Sequence, residues 1–166
     1  MIYRGYAYRL GDDINTDVIA PSIYSDDEGL MRKHAFEAII KDFYKTTENK
    51  KTIIVASKNF GCGSSRETAV TAIKSLGVEI VVAGSFARIF YRNAINGALP
   101  PVVFEDYTGI SSDDELEIDI EKGILKNITK GTGGSFTPIS SNALKIIKSG
   151  GLLALLKKEL IEEVFR

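Results

Sequence analysis

The stretch KNFGCGSSRETAV, Lys58 to Val70, places two glycines, two hydroxyls, a thiol and a guanidinium within a few residues. The apolar, β-branched run Thr52 to Ser57 before it has the length of a buried strand. After it, Ala69, Val70, Ile73 and Leu76 recur at helical spacing up to Gly77, a natural stop. The segment is therefore a strand-to-helix turn. Such a turn offers free backbone N–H groups and the positive end of a helix dipole, a cradle for a carboxylate or phosphate. Gly61 and Gly63 let an anion approach the backbone, and Arg66 forks onto a carboxylate through two parallel N–H bonds. The ligand that suits these residues is a small organic acid. A serine among such donors can act as an alkoxide-like base, but only with strong local stabilisation. The chain shows no obvious group to supply it, so part of the machinery is missing from this chain.

Other readings of the same residues compete. Ser64 with Glu67 fits the S-x-x-E capping box, in which the hydroxyl only satisfies an N–H of the first helical turn. A dinucleotide fingerprint is a weak match, because Arg66 stands where the third glycine must let helix and strand pack closely. A nucleophile elbow fails at the same residue, and a Ser-His-Asp hydrolase would hang on His34, the only histidine. Cys62 is the only cysteine. It can form no internal disulfide, and one thiolate does not hold an iron–sulfur cluster. A helix start nearby would favour a reactive thiol, against the plainer reading of Cys62 as a small loop residue.

Three motifs in order, GDDINTDVIAP (Gly11 to Pro21), NFGCGSSRE and SFARIFYRNAIN (Ser85 to Asn96), resemble the small subunits of 3-isopropylmalate dehydratase and archaeal homoaconitase. These are similar in turn to the C-terminal swivelling domain of aconitase, and the resemblance spans nearly the whole chain. It implies an α/β fold of the swivelling β/β/α type: a mainly parallel central sheet with an added antiparallel hairpin layer, as one domain over residues 1–166. It implies a hydro-lyase that moves a hydroxyl between adjacent carbons of a small hydroxy-diacid by dehydration and rehydration. The [4Fe-4S] cluster of such enzymes belongs to a separate large subunit, with which this chain would form a hetero-oligomer. Matched residue by residue, Ser64 is the proton-abstracting serine, and Ser65 and Arg66, with Gly63, bind a substrate carboxylate. Asp17 matches an active-site aspartate, while Arg88 and Asn93 are expected to shape or brace the site. The segment after Pro21 matches a loop that sorts substrates. Here it reads Ile23, Tyr24, Ser25, Asp26, Asp27. No arginine stands ready for a third carboxylate, clustered aspartates would repel one, and Asp26 or Asp27 could simply start a helix. The leading implied activity is that of 3-isopropylmalate dehydratase, in leucine biosynthesis. Homoaconitase, a dimethylmalate-type dehydratase and a non-catalytic acid-binding module stay open.

These residues need a scaffold, and 166 residues with 44% hydrophobic and 26% charged content suit one globular domain. A net charge of −1 gives no case for nucleic acid or an anionic membrane surface. No signal peptide or spanning apolar run is visible, which predicts a cytoplasmic location. Tyr3 to Leu10 alternates as a strand; Ile14 to Tyr24 reads as a loop, and Leu30 to Tyr44 as one amphipathic helix followed by a polar connection, Lys45 to Lys51. In that helix His34, with no second ligand nearby, reads as a surface or packing residue. Val78 to Ala83 and Val102 to Glu105 read as strands and Phe86 to Ile95 as a helix. Strand-helix units in succession imply a parallel sheet with the SSR turn and the Ser85 to Asn96 segment side by side at its carboxyl edge. ELEIDI and ILKNIT form a hairpin in a second β layer, Lys130 to Ser135 is a flexible connection, and helices over Asn142 to Ser149 and Leu152 to Phe165 close the chain. Leu153, Leu156, Leu160, Ile161 and Val164 on the last helix are expected mostly in the core, with part of the face open to a partner.

Overall fold

The structure, a computed structural model, describes residues 1–164. Its centre is β2 (Thr52–Ala56), buried at every position. Ile54 and Ala56 enter one core and Ile53 and Val55 the other. Such two-sided burial requires the unbroken apolar run read from the sequence. β2 pairs in parallel with β1 (Ile2–Arg9) on one side and β3 (Val81–Ala83) on the other, and β3 pairs in parallel with β4 (Pro101–Val103).

The expected hairpin, β5 (Glu115–Asp119) and β6 (Ile124–Asn127), forms, but not as a separate layer. β5 lies antiparallel on the free edge of β1, with Tyr3 opposite Ile118, so the hairpin continues one seven-stranded sheet in the order β4-β3-β2-β1-β5-β6-β7. Its alternation still has the expected cause: Leu116 and Ile118 are fully buried while Glu115, Glu117 and Asp119 are not. The last strand, β7 (Thr132–Ser135), was expected to be flexible connection. Its glycines pair all the same, Gly133 against Lys126 and Gly134 against Leu125, since backbone ladders need no side chain.

Among the described residues seven α-helices cover the sheet: α1 (Thr16–Ile19), α2 (Glu28–His34), α3 (Phe43–Glu48), α4 (Glu67–Ser75), α5 (Arg88–Asn96), α6 (Ser141–Lys148) and α7 (Leu152–Val164). The region expected as a loop, Ile14 to Tyr24, thus holds α1 and a 3-10 turn at Ser22–Tyr24. The single helix expected over Leu30 to Tyr44 is broken, because Phe36 and Asp42 take left-handed backbone angles, φ 61° and 56°. The break turns both Phe36 and Phe43 into the core, where their rings meet edge to face at 5.2 Å. A continuous helix would place them seven residues apart on one stripe without that contact. Lys45 to Glu48 of the expected polar connection belongs to α3.

Leu153, Leu156, Leu160 and Ile161 of α7 are exposed rather than in the core; among the described side chains of that helix only Leu155 is buried. Gly150 and Gly151, both at positive φ, turn the chain so that α7 meets the body along a narrow seam. The side chain of Val164 and the expected end at Phe165 lie outside the described residues. No described helix is long and apolar enough to cross a membrane.

Candidate active site

Three loops leave the carboxyl ends of β1, β2 and β3 and remain hydrogen-bonded beyond the strands. Ser57 N–H donates to Gly11 O at 3.1 Å and Gly84 N–H to Ser57 O at 2.8 Å. Farther out, Gly61 N–H reaches Ile14 O at 2.7 Å, Thr16 N–H reaches Cys62 O at 2.8 Å, and Phe60 is bracketed by Ser85 and Ala87. Side chains add to the splice: Asp12 accepts from Lys58 N–H, and Asn59 donates to Asp13 at 2.7 Å. The three motifs that are far apart in sequence are thereby held as one patch, with the SSR turn in the middle.

The turn does not fold as a capping box. α4 starts at Glu67, and its cap position is Arg66, whose side chain makes no capping hydrogen bond. Ser64 lies two residues before the cap, too early for its hydroxyl to serve the first turn. It is exposed, and what fixes it is its backbone: Thr16 Oγ1 donates to Ser64 O at 3.1 Å. The Ser64 hydroxyl is left free for other work, beside a helix start that no side chain satisfies.

Arg66 lies against Asp17, with Nη1 and Oδ1 at 2.6 Å. The approach is too oblique for a directed hydrogen bond, and Nη1 is buried with no hydrogen-bond acceptor. The contact is charge attraction, and Asp17 itself is well exposed. Asp17 is not the helix cap that an Asp beside Asn and Thr often is. Asn15 caps α1 by accepting from Val18 N–H at 2.8 Å, which leaves the Asp17 carboxylate to Arg66.

On the α5 side of the turn lies an open cleft of about 870 Å³, lined by Gly63, Ser65, Glu67, Arg88, Arg92, Asn93 and their neighbours. Gly63, Ser65, Arg88 and Asn93 are thus brought together as the sequence anticipated. Arg92 was missed. It stands one helical turn after Arg88 and therefore on the same face, a spacing that could have revealed it. Both guanidiniums are exposed, and neither has an ion-pair partner among the described residues. They line the cleft together with Ser65 and bring positive charge to it.

Ile23 to Asp27 do not line that cleft. Asp27 caps α2, accepting from Leu30 N–H at 2.9 Å, as the sequence allowed, and Asp26 accepts from the Ser25 hydroxyl at 3.2 Å. Both aspartates are used locally. Tyr24 is half buried and packs on the helical core, whereas Ile23 is 80% exposed.

Cys62 is half-buried. Burial pushes its ionisation upward and the nearby Asp13 charge adds to this, outweighing a backbone hydrogen bond. One thiol does not fit a cluster that takes several, and among the described residues no three His, Cys, Asp or Glu side chains gather in a way that could hold a metal.

Fold and site together define a domain of the aconitase C-terminal class, and the profile of the aconitase C-terminal domain matches residues 12–107. The 3-isopropylmalate dehydratase small subunit of Caldicellulosiruptor bescii is 48% identical over 163 residues, covering 96% of this chain and 98% of that one. Small subunit 1 from Thermotoga maritima is 49% identical over 158 residues, covering 93% and 95%. A crystal structure of 3-isopropylmalate dehydratase from Methanocaldococcus jannaschii is 40% identical, with a TM-score of 0.90 and both chains covered in full. The chain belongs to the family of 3-isopropylmalate dehydratase small subunits. A small subunit implies a large-subunit partner in a hetero-oligomer.

Proposed function

We propose that this chain is the proton-abstracting and carboxylate-holding half of a dehydratase that interconverts 2-isopropylmalate and 3-isopropylmalate. The observation that carries the reading is the free Ser64 hydroxyl, held by its backbone at an uncapped helix start beside Arg66. Ser64 Oγ takes the proton from the carbon next to a carboxylate. The electron pair of that C–H bond becomes the double bond as hydroxide leaves the neighbouring carbon. Hydroxide then adds to the carbon that lost the proton, and Ser64 returns its proton to the carbon that lost the hydroxyl, which restores the serine oxygen to its negative form. The α4 N–H groups and Arg66 stabilise the serine oxygen while it is negative. Arg66 and the Ser65 hydroxyl hold the carboxylate next to the reacting carbon, and Asp17 keeps the guanidinium aimed.

The second carboxylate of the diacid goes to Arg88 and Arg92, whose charges no anion among the described residues satisfies; Asn93 lines the cleft beside them. The departing hydroxide is left to the large, cluster-bearing subunit of the assembly.

The test is reconstitution with the large subunit and assay of isopropylmalate against homocitrate and dimethylmalate. Selective turnover of isopropylmalate is expected. Preference for homocitrate, or binding without turnover, would overturn the assignment. Within the same assay Arg92→Gln is expected to raise KM for the diacid roughly tenfold with kcat little changed, the worth of one charge-assisted contact made equally in ground and transition states. An unchanged KM would remove Arg92 from the site.

A further inference from the structure

Arg9 is the last residue of β1, just before the first of the three loops leaves the sheet. Strand alternation puts its side chain on the same side as Ala7 of the second core. Phe90 and Ala94 of α5, the helix that lines the cleft, belong to the other core. Arg9 therefore lies under the loops and is not among the cleft-lining residues.

Its partners are not carboxylates. The guanidinium carbon lies 5.2 Å from the centre of the Tyr107 ring, and Nη2 donates to Ser57 Oγ at 3.4 Å. Nη1 is buried and meets no hydrogen-bond acceptor among the described residues. Burial pushes the ionisation of Arg9 downward, although Tyr107 and, to a smaller extent, Asp12 favour the charge. A cation stripped of water and left with an unused donor does little for stability, so its place needs another reason.

Tyr107 supplies one. It belongs to the 3-10 segment Glu105–Gly109 that follows β4. A Cβ on Gly84 would fall 2.3 Å from Tyr107 Cε1, so the ring rests directly on the backbone at the end of β3 while Arg9 holds it from the end of β1. Ser57, at the end of β2, is bonded to both neighbours: its carbonyl accepts from Gly84 N–H, its N–H donates to Gly11 O, and its hydroxyl accepts from Arg9. The roots of all three loops thus meet around one ring and one guanidinium.

We infer that Arg9 is a positioning residue: with Tyr107 it pins together the roots of the loops that lead to Asp17, Ser64 and Arg88, and so sets the place of Ser64 from below. The pin stands on these contacts alone; its effect on turnover rests on the function proposed above.

Two measurements test this. In the isolated chain, amide hydrogen exchange is followed residue by residue. Arg9→Met keeps an apolar stem and is expected to speed exchange at Ser57 and Gly84 roughly tenfold, with Ile54 in the middle of β2 unchanged. The melting temperature is expected to hold within about 2 °C, since the stripped charge goes with the contact. Tyr107→Phe keeps the ring and is expected to exchange at the native rate. Tyr107→Leu must open the same amides, and adding Arg9→Met to it must open them no further. Should Arg9→Met fail to fold, Tyr107→Leu removes the other half of the contact and is read in the same way. Unchanged exchange at Ser57 and Gly84, or additive effects of the two changes, would overturn the pin.

In the reconstituted pair, Arg9→Met is expected to lower kcat roughly tenfold with KM for isopropylmalate within about twofold, the mark of a displaced base and not of a lost contact to the diacid. Arg9→Lys, which can still set a cation over the ring, is expected to restore most of the rate. Loosened amides with kcat unchanged would refute the role in turnover alone. A native pair inactive on isopropylmalate would refute the functional reading, while the exchange result still decides the pin.

Discussion

Ser64→Ala, assayed with the large subunit present, is expected to lose turnover by roughly a thousandfold, within the range for removing a general base that works beside preorganised donors. The melting temperature is expected to stay within about 2 °C of the parent, because the change removes no cap and no hydrogen bond of the fold. That separation is what the position of α4 decides. Had the helix begun at Ser65, the hydroxyl would have satisfied an N–H of the first turn, and its loss would cost about 1 kcal/mol of stability. Instead the helix begins at Glu67, and Ser64 is held through its carbonyl by Thr16. Alanine keeps that carbonyl. Ser64→Thr is the instructive companion: it retains a hydroxyl but adds a methyl group and a stiffer χ1, so partial activity is expected from it and next to none from alanine. Lost stability with turnover retained in Ser64→Ala would return the serine to a structural role. Thr16→Val should act differently from both. Thr16 is 2% exposed and its hydroxyl reaches the Ser64 carbonyl, so its loss acts on the placement of the base.

Much of this site was legible because its signals are local. A β-branched run, two glycines and a helical period announce a strand, a turn and a helix, and β2, α4 and the stop at Gly77 stand where those signals put them. The order of the parallel strands then brings the second and third motifs beside the first. The start of α4 was not legible, because the capping-box pattern at Ser64 and Glu67 is satisfied by sequence whether or not the geometry forms. Arg66 takes the cap position while its charge is drawn to Asp17, a residue 49 positions earlier. The break in the Leu30 to Tyr44 region was hidden for a related reason. Hydrophobic periodicity records which residues are apolar, and Phe36 and Phe43 are apolar in either conformation; only their contact with each other, and that of Phe43 with Tyr8, makes two left-handed residues worth their strain. The Gly-rich β7 and the exposed face of α7 failed in opposite directions. Pairing with β6 orders a segment whose side chains gave no sign of it, and a glycine pair swings out leucines that the pattern assigned to the core.

A large stability effect is expected at Gly61. Its φ of +78° already disfavours any side chain, by about 1 kcal/mol or more for an L-residue. A Cβ there would also fall 2.1 Å from Phe90 Cγ and 2.4 Å from Phe90 Cβ, an overlap that no rotamer of alanine avoids. Phe90 has little room to retreat. It is 2% exposed, meets Phe60 edge to face at 5.1 Å and stacks on Phe86 at 6.1 Å. Overpacking of this kind adds about 1–3 kcal/mol, so Gly61→Ala is expected to lower stability by about 3 kcal/mol, or roughly 6–12 °C in melting temperature for a chain of this size. Gly77 supplies the control. Its φ is +77°, yet a Cβ there meets nothing within 4 Å. Gly77→Ala therefore carries the backbone strain without the overlap, and about a third of the loss is expected from it. The difference between the two variants, measured by denaturant titration, isolates the contact with Phe90, and combining Gly61→Ala with Phe90→Leu should cost less than the sum of the single changes. Equal losses at Gly61 and Gly77 would mean that Phe90 gives way freely, and that the wall behind the SSR turn is softer than the three packed rings imply. With a rigid wall, Gly61→Ala must also shift the N–H that reaches Ile14 O at 2.7 Å, and so displace Ser64, the base in the function proposed above. A loss of kcat beyond that explained by the unfolded fraction is the expected signature, because displacement of a base by about 1 Å costs on the order of a hundredfold.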